Sequence, residues 1–270
     1  MLEVGANVVL CPRFRLDQAR VGDSNVALKE KMMMSKRRAL ITGASKGIGR
    51  EVANRLAASD FEVIGVARNA PSDFPGQFYE VDLSDRSATA DLLDEIVAGG
   101  GVDAVVNNVS FQRFGYIGSV DLDDLFVTYD MNVRVAVQVV QAVLPGMIGG
   151  GWGRIVNVSS LVTLGVAERT PYAAAKAALE TCTRIWAREL ASHGITVNAV
   201  APGPIETEAY RALSPTGSDR EARALSAIPL QRVGTPAEVA HLIATLLDDD
   251  AGYMTGQIVR VDGGGSISAA

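Results

Sequence analysis

Tyr172 and Lys176 lie four residues apart in the run Pro171-Tyr172-Ala173-Ala174-Ala175-Lys176-Ala177-Ala178-Leu179. On a helix that spacing sets both side chains on one face. The alanines favour helix, and Pro171 suits its first turn. A phenol ordinarily gives up its proton near a pH of about 10. A fixed ammonium beside it favours the phenolate and lowers that value. The pair is therefore a candidate proton-transfer device. Spacing alone favours the plainer reading of a solvated helix face, since any such pair on a helix is adjacent. The remaining motifs must carry the assignment.

A second group lies near the start. Arg38-Ala39-Leu40-Ile41-Thr42 is a short apolar run, Gly43-Ala44-Ser45-Lys46-Gly47-Ile48-Gly49 a glycine-rich turn, and Arg50-Glu51-Val52-Ala53-Asn54-Arg55-Leu56 an amphipathic stretch. Strand, turn and helix in that order make a phosphate cradle. Glycine admits positive φ and a close ligand, and a helix start offers free N–H groups at the positive end of its dipole. The spacing is G-x-x-x-G-x-G rather than G-x-G-x-x-G, and a tight strand-to-helix connection is the plainer alternative. The next apolar run, 61–67, ends where an NAD-binding unit places an acid for the ribose 2′-hydroxyl. Ala67 and Arg68 stand there instead. Arg68, helped by Lys46, matches a 2′-phosphate through charge-assisted bonds, so NADP(H) is expected over NAD(H). The alternative for Arg68 is an exposed cation at a strand end.

Taken in order, these motifs resemble the short-chain dehydrogenase/reductase family, in the branch of 3-oxoacyl-acyl-carrier-protein reductases and many carbonyl reductases. The resemblance runs from about residue 36 to the end. Further matches are Val81-Asp82-Leu83, Asn107-Asn108, Met131-Asn132-Val133, Ser160 at the end of a strand, Pro202-Gly203 with Thr207, Gly256-Gln257 and Val261-Asp262-Gly263-Gly264. It implies a catalytic set of Asn132, Ser160, Tyr172 and Lys176. It also implies cofactor contacts from Gly43, Ser45, Lys46, Gly47, Ile48, Gly49, Arg68, Asp82, Leu83, Asn108, Tyr172, Lys176, Pro202, Gly203 and Thr207. Two departures stand out. Val109-Ser110 replaces the family's Ala-Gly after the paired asparagines and adds bulk near the cofactor. The second is the connection from Ser160 to Tyr172, shorter by about one residue than is usual in the family, which leaves Ser159 or Ser160 to face the substrate; adjacent strand residues face opposite ways, so only one can serve, and Ser160 is preferred as the strand's last residue.

The resemblance implies hydride transfer to a carbonyl, with Tyr172 as proton donor, Ser160 holding the oxygen, Lys176 lowering the phenol pKa and gripping the nicotinamide ribose, and Asn132 holding a water. The expected function is an NADPH-dependent carbonyl reductase acting on a 3-oxoacyl thioester or related ketone. An NAD-dependent sugar, polyol or secondary-alcohol dehydrogenase is the alternative, and a non-catalytic nucleotide-binding regulator a third. Loops 109–118, 161–170 and 204–228, with Phe111, Phe114, Tyr116, Leu164 and Tyr210, would shape a partly apolar substrate pocket.

The pattern predicts strands at 38–42, 61–67, 77–81, 102–107, 153–159, 195–200 and 257–261. Helices are predicted at 47–58, 85–98, 122–148, 171–192, 206–226 and 235–248. Strands alternating with helices give an α/β fold: a single Rossmann-type doubly wound parallel sheet of about seven strands, helices on both faces. Its chemistry then gathers at the carboxyl ends of the strands. Residues 36–270 form one NAD(P)-binding domain with integral substrate loops. Residues 1–35 read as a flexible tail, a targeting segment or an over-long start with the working Met among Met32–Met34, the last preferred. Net charge is −6 and 48% of residues are apolar, which gives no nucleic-acid footprint. No apolar run of membrane-spanning length is read. Cys11 and Cys182 make neither a disulfide framework nor a metal site. His193 and His241, Asp123, Asp124 and Asp248–Asp250 read as structural, with no metal expected. A cytoplasmic protein is expected. Helices 122–148 and 171–192 are richer in apolar residues than one sheet face needs, and the family commonly pairs them in a homodimer or homotetramer.

Overall fold

The computed structural model describes residues 36–267, so the expectation for residues 1–35 lies outside it. The unit Arg37–Ala270 holds the whole fold. In chain order come β1 (Arg37–Thr42), α1 (Gly47–Ala57), β2 (Phe61–Ala67), β3 (Gln77–Glu80), α2 (Arg86–Ala98) and β4 (Ala104–Asn107). Then follow α3 (Leu122–Tyr129), α4 (Val135–Gly150), β5 (Gly153–Val158), α5 (Thr170–Leu190) and β6 (Ile195–Pro202). Last are α6 (Glu208–Leu213), α7 (Asp219–Ser226), α8 (Pro236–Leu247) and β7 (Ile258–Val261).

The seven strands form one sheet in the order β3-β2-β1-β4-β5-β6-β7, every pair parallel. Parallel strands covered on both faces must be apolar on both, and β6 is buried along its full length. Neighbouring residues feed opposite cores. Leu40, Val105 and Ile155 pack toward Val139 and Val143 of α4. Ile41, Val106 and Val156 pack toward Val52 of α1 and Ile243 of α8. The strand order reverses between β1 and β4, and that crevice is where ligands bind in such sheets.

Two predicted helices differ from the structure. The stretch 122–148 is interrupted by a π-helical turn at Asp130–Arg134 between α3 and α4, and the buried Asn132 lies inside it. Such single-turn bulges cluster at functional sites. The stretch 206–226 is two helices, because Pro215 and Gly217 (φ 77°) break it. By length and composition the helical span Leu122–Gly150 is long and apolar enough to cross a membrane, which the sequence reading did not register. Val135, Val139, Val143 and Met147 bury one side of it in the core.

Candidate active site

Between β1 and α1 the chain must reverse tightly. Gly43 (φ 68°) and Gly47 (φ 58°) adopt left-handed values open to glycine. A β-carbon on Gly49 would lie 2.4 Å from the Gly43 carbonyl oxygen. Lys46 precedes α1 without a side-chain cap. By contrast Asp85 caps α2 through the N–H groups of Ser87 and Ala88 at 2.9 and 3.0 Å. An uncapped helix start on a glycine turn fits a diphosphate.

Asn108 braces this turn. Its Nδ2 donates to the carbonyls of Thr42 (3.0 Å) and Gly43 (3.1 Å). The Thr42 hydroxyl accepts from the N–H groups of Asn108 (3.0 Å) and Val109 (3.1 Å). Asn108 also lines the cleft, while its side-chain donors hold the cradle's shape.

A cleft of about 1020 Å³ crosses the carboxyl ends of β1 to β6, and all the predicted site residues line it except Gly49 and Asn132. At its β2 end stand Arg68, Asn69 and Asp82. The Asp82 carboxyl is held below its ordinary range by the backbone N–H and hydroxyl of Ser84, with the Arg68 charge adding. Arg68 has no carboxylate partner among the described residues. Lys46, expected beside it, pairs instead with Glu208 of α6 at 2.9 Å, where both are more than half exposed. Thr207 caps α6 through the Tyr210 N–H at 3.1 Å and borders Gly47. An uncapped cradle, a cation at the β2 end and this volume fit a dinucleotide carrying a 2′-phosphate.

On the other side α5 begins at Thr170 with Pro171 in its first turn. Tyr172 is 6% exposed and Lys176 1%. Lys176 Nζ lies 5.7 Å from the Tyr172 ring centroid and donates to the Val158 carbonyl at 2.8 Å. The Tyr172 hydroxyl accepts from Ser110 Oγ at 3.3 Å, and Ser160 and Gln112 stand close enough in the cleft to act on it. Ser159 points the other way, its Oγ donating to the buried Glu180 at 2.7 Å. Of the two serines, Ser160 is therefore the one beside the phenol.

The electrostatics reverse one expectation. Burial pushes the Tyr172 phenol up, while the hydrogen bonds of Ser110 and Ser160 and the charge of Arg169 pull it down. Burial also depresses the Lys176 ammonium, from 10.5 to about 7. Asn132 stands behind Phe111, its Nδ2 donating to the carbonyls of Phe111 (2.7 Å) and Thr128 (2.8 Å). Its Oδ1 is buried without a partner among the described residues.

The expected pocket residues divide. Phe111, Leu164 and Tyr210 line the cleft. Phe114 lies under the Arg169 guanidinium at 4.0 Å, and Tyr116 is exposed, its phenol pushed up by the nearby Glu168 carboxylate. Sequence reasoning missed Ser110 as a partner of the phenol, Gln112, Glu208, and the cleft residues Arg169 and Arg220. For Ser110 the signal existed, as the departure beside Val109; for Arg169 it was the three-residue offset from Tyr172.

Comparison with known proteins agrees with this geometry. Residues 43–266 match a family model described as Enoyl-(Acyl carrier protein) reductase. The chain is 38% identical over 236 residues to the 3-oxoacyl-[acyl-carrier-protein] reductase FabG of Escherichia coli (strain K12), covering 84% of this chain and 96% of that one. It is 39% identical over 239 residues to the same enzyme of Pseudomonas aeruginosa, with the same coverage. Among solved structures, ElxO with NADP bound superposes with a TM-score of 0.80 at 30% identity, covering 86% of this chain and 99% of that one. A short chain dehydrogenase/reductase family protein gives a TM-score of 0.77 at 32% identity, over 87% and 99%.

Proposed function

The chain belongs to the short-chain dehydrogenase/reductase family of NAD(P)-dependent oxidoreductases, and on that premise we propose that it uses NADPH to reduce a ketone, such as a 3-oxoacyl thioester, to the alcohol. One observation carries the reading: a buried phenol, Tyr172, opens on a dinucleotide-sized cleft with Ser160 beside its hydroxyl and Lys176 beneath its ring. When bound, NADPH supplies the hydride. The carbonyl oxygen lies between Tyr172 and Ser160. Ser160 donates a hydrogen bond that strengthens as charge grows on that oxygen. Tyr172 delivers the proton. Its raised pKa keeps it protonated at neutrality, which suits an acid and the reductive direction.

Lys176 has one donor on Val158, leaving the others for the ribose hydroxyls. The free Oδ1 of Asn132 fits a bridging water that replaces the proton. Arg68 grips the 2′-phosphate, and the likeness to ElxO, solved with NADP, supports that preference. The protein assembles as a homodimer or homotetramer through α3–α4 and α5, where Leu122, Phe126 and Ile185 stand exposed.

The test is NADPH consumption by purified protein over a panel of ketones and 3-oxoacyl thioesters, for wild type and Tyr172→Phe. Turnover that falls by about a thousandfold or more in the variant fits the loss of general acid and oxyanion contact together. Absence of turnover throughout, or a fully active variant, sinks the proposal.

A further inference from the structure

Resting on that reading, we propose that the ketone substrate is itself an anion, an oxo acid whose carboxylate is held by Arg169 and Arg220 at the substrate end of the cleft. The protein is acidic overall, at −6, yet its cleft is not. Lys46, Arg68, Arg169, Lys176 and Arg220 line it against only two acids, Asp82 and Glu208. Asp82 lies at the β2 end and Glu208 is paired with Lys46. Arg68 and Lys176 have work on the cofactor. Arg169 and Arg220 remain, the first just before α5 and the second on α7, near enough for their charges to interact.

Their lack of partners sets them apart. Eight arginines are at least partly buried among the described residues. Six of them, Arg37, Arg38, Arg50, Arg134, Arg154 and Arg211, stand 3.9 Å or closer to a carboxylate. The other two are Arg169 and Arg220. The contrast is sharpest in the segment over the cleft, where Arg211 meets both Glu206 and Glu221 and Arg220 meets no acid. A guanidinium taken from water without a counter-charge is costly. Burial and the neighbouring Arg220 charge press against the Arg169 cation, and the charges of Glu168 and Tyr172 offset them only in part. Arg220 also sits in the first turn of α7, where the helix dipole disfavours a cation.

Arg169 is nonetheless fixed in place. Its guanidinium stacks on Phe114 at 4.0 Å. Glu168, immediately before it, takes the left-handed conformation (φ 64°) rare for its type. That turn is held by the Gly115 N–H on the Glu168 carbonyl at 3.0 Å and by the parallel bridge between Gly115 and Arg169. Strain maintained by surrounding bonds positions a group for a task. The task matches the site: Arg169 is three residues before Tyr172 on the start of α5, and its charge reaches the phenol. A carboxylate a few bonds from the reacting carbonyl would meet Arg169, with Arg220 closing over it. Two planar guanidinium forks in one cleft suit a carboxylate's two oxygens.

The test pairs 2-, 3-, 4- and 5-oxo acids with their methyl esters, same carbon skeleton and no charge. With NADPH, the wild type should prefer at least one acid over its ester by about tenfold or more in kcat/KM. Arg169→Met and Arg220→Met should each bring that ratio toward one, and Arg220→Lys should restore part of it. Calorimetric titration of the preferred acid into the protein loaded with oxidised cofactor, wild type against Arg220→Met, reads binding apart from turnover. Weaker binding in the variant supports the site. Equal turnover of acids and esters, a ratio unchanged in both Met variants, or no binding of any acid overturns it. Brisk turnover of neutral ketones alongside those results leaves the reductase reading standing while removing the carboxylate.

Discussion

Ser110 Oγ donates a hydrogen bond to the Tyr172 hydroxyl at 3.3 Å, from a position where the family resemblance expects glycine. The contact is long for two hydroxyls, but it would tighten on a phenolate, which accepts more strongly than a phenol. The bond pulls the phenol pKa down against the burial that raises it. Ser110→Gly should therefore move the pH profile of alcohol oxidation toward higher pH and slow that direction about threefold near neutrality. Ketone reduction, which needs the protonated phenol, should change less. Measuring kcat against pH in both directions checks this; superimposable profiles would leave Ser110 a bystander.

Lys176 has its own pH signature in stability. Its folded pKa is about 7 against 10.5 when solvated. Between those values the unfolded chain binds the extra proton, so wild-type stability rises as pH climbs through that window. Below pH 7 both states are protonated and the cost of the buried ammonium is fully present, on the order of 5 kcal/mol. Lys176→Met removes that dependence. Relative to wild type the variant's Tm should be most favourable near a pH of about 6 and lose ground toward about 10. The orphaned Val158 carbonyl adds a constant offset. A Tm difference flat across that range contradicts the assignment.

What was legible in the chain follows from which physics is local. The glycine turn, the apolar runs and the Tyr172–Lys176 spacing are short-range signals, and all seven strands and the cleft formed from them. The π turn at Asn132 was not legible, because an inserted residue leaves helix composition unchanged. Nor was the phenol's raised pKa, since spacing reveals a neighbouring ammonium but not the burial that overrides it. Choosing Ser160 over Ser159 rested on strand alternation, and the Glu180 contact of Ser159 supplies the reason. Lys46 escaped because its partner Glu208 is 162 residues away.

That ion pair leads to a prediction on the cofactor. Among the described residues Arg68 has no carboxylate partner, whereas Lys46 is engaged by Glu208. Arg68→Ala should raise the KM for NADPH about tenfold or more while leaving that for NADH within about twofold, as expected when one charge-assisted phosphate contact is lost. Glu208→Gln frees Lys46 and should lower the KM for NADPH about twofold, a modest effect because the exposed pair is screened. Steady-state kinetics with both cofactors reads the two variants. Equal losses for NADH and NADPH in Arg68→Ala would remove the 2′-phosphate contact.

The exposed face of α3 calls for a partner. Leu122 (66% exposed), Phe126 (69%) and Tyr129 (47%) recur at helical spacing, so they form one stripe turned from the core. Ile185 extends apolar surface on α5, against which α3 packs. In a two-fold assembly each residue counts twice. Covering Leu122 and Phe126 then contributes on the order of 6 kcal/mol per interface, about four powers of ten in dissociation constant. Leu122→Asp with Phe126→Asp should convert the assembly to monomer at micromolar concentration, while circular dichroism keeps the wild-type helix content, since neither side chain supports the core. Analytical ultracentrifugation decides it: a wild type that sediments as a monomer, or a double variant that keeps the wild-type mass, places the interface elsewhere.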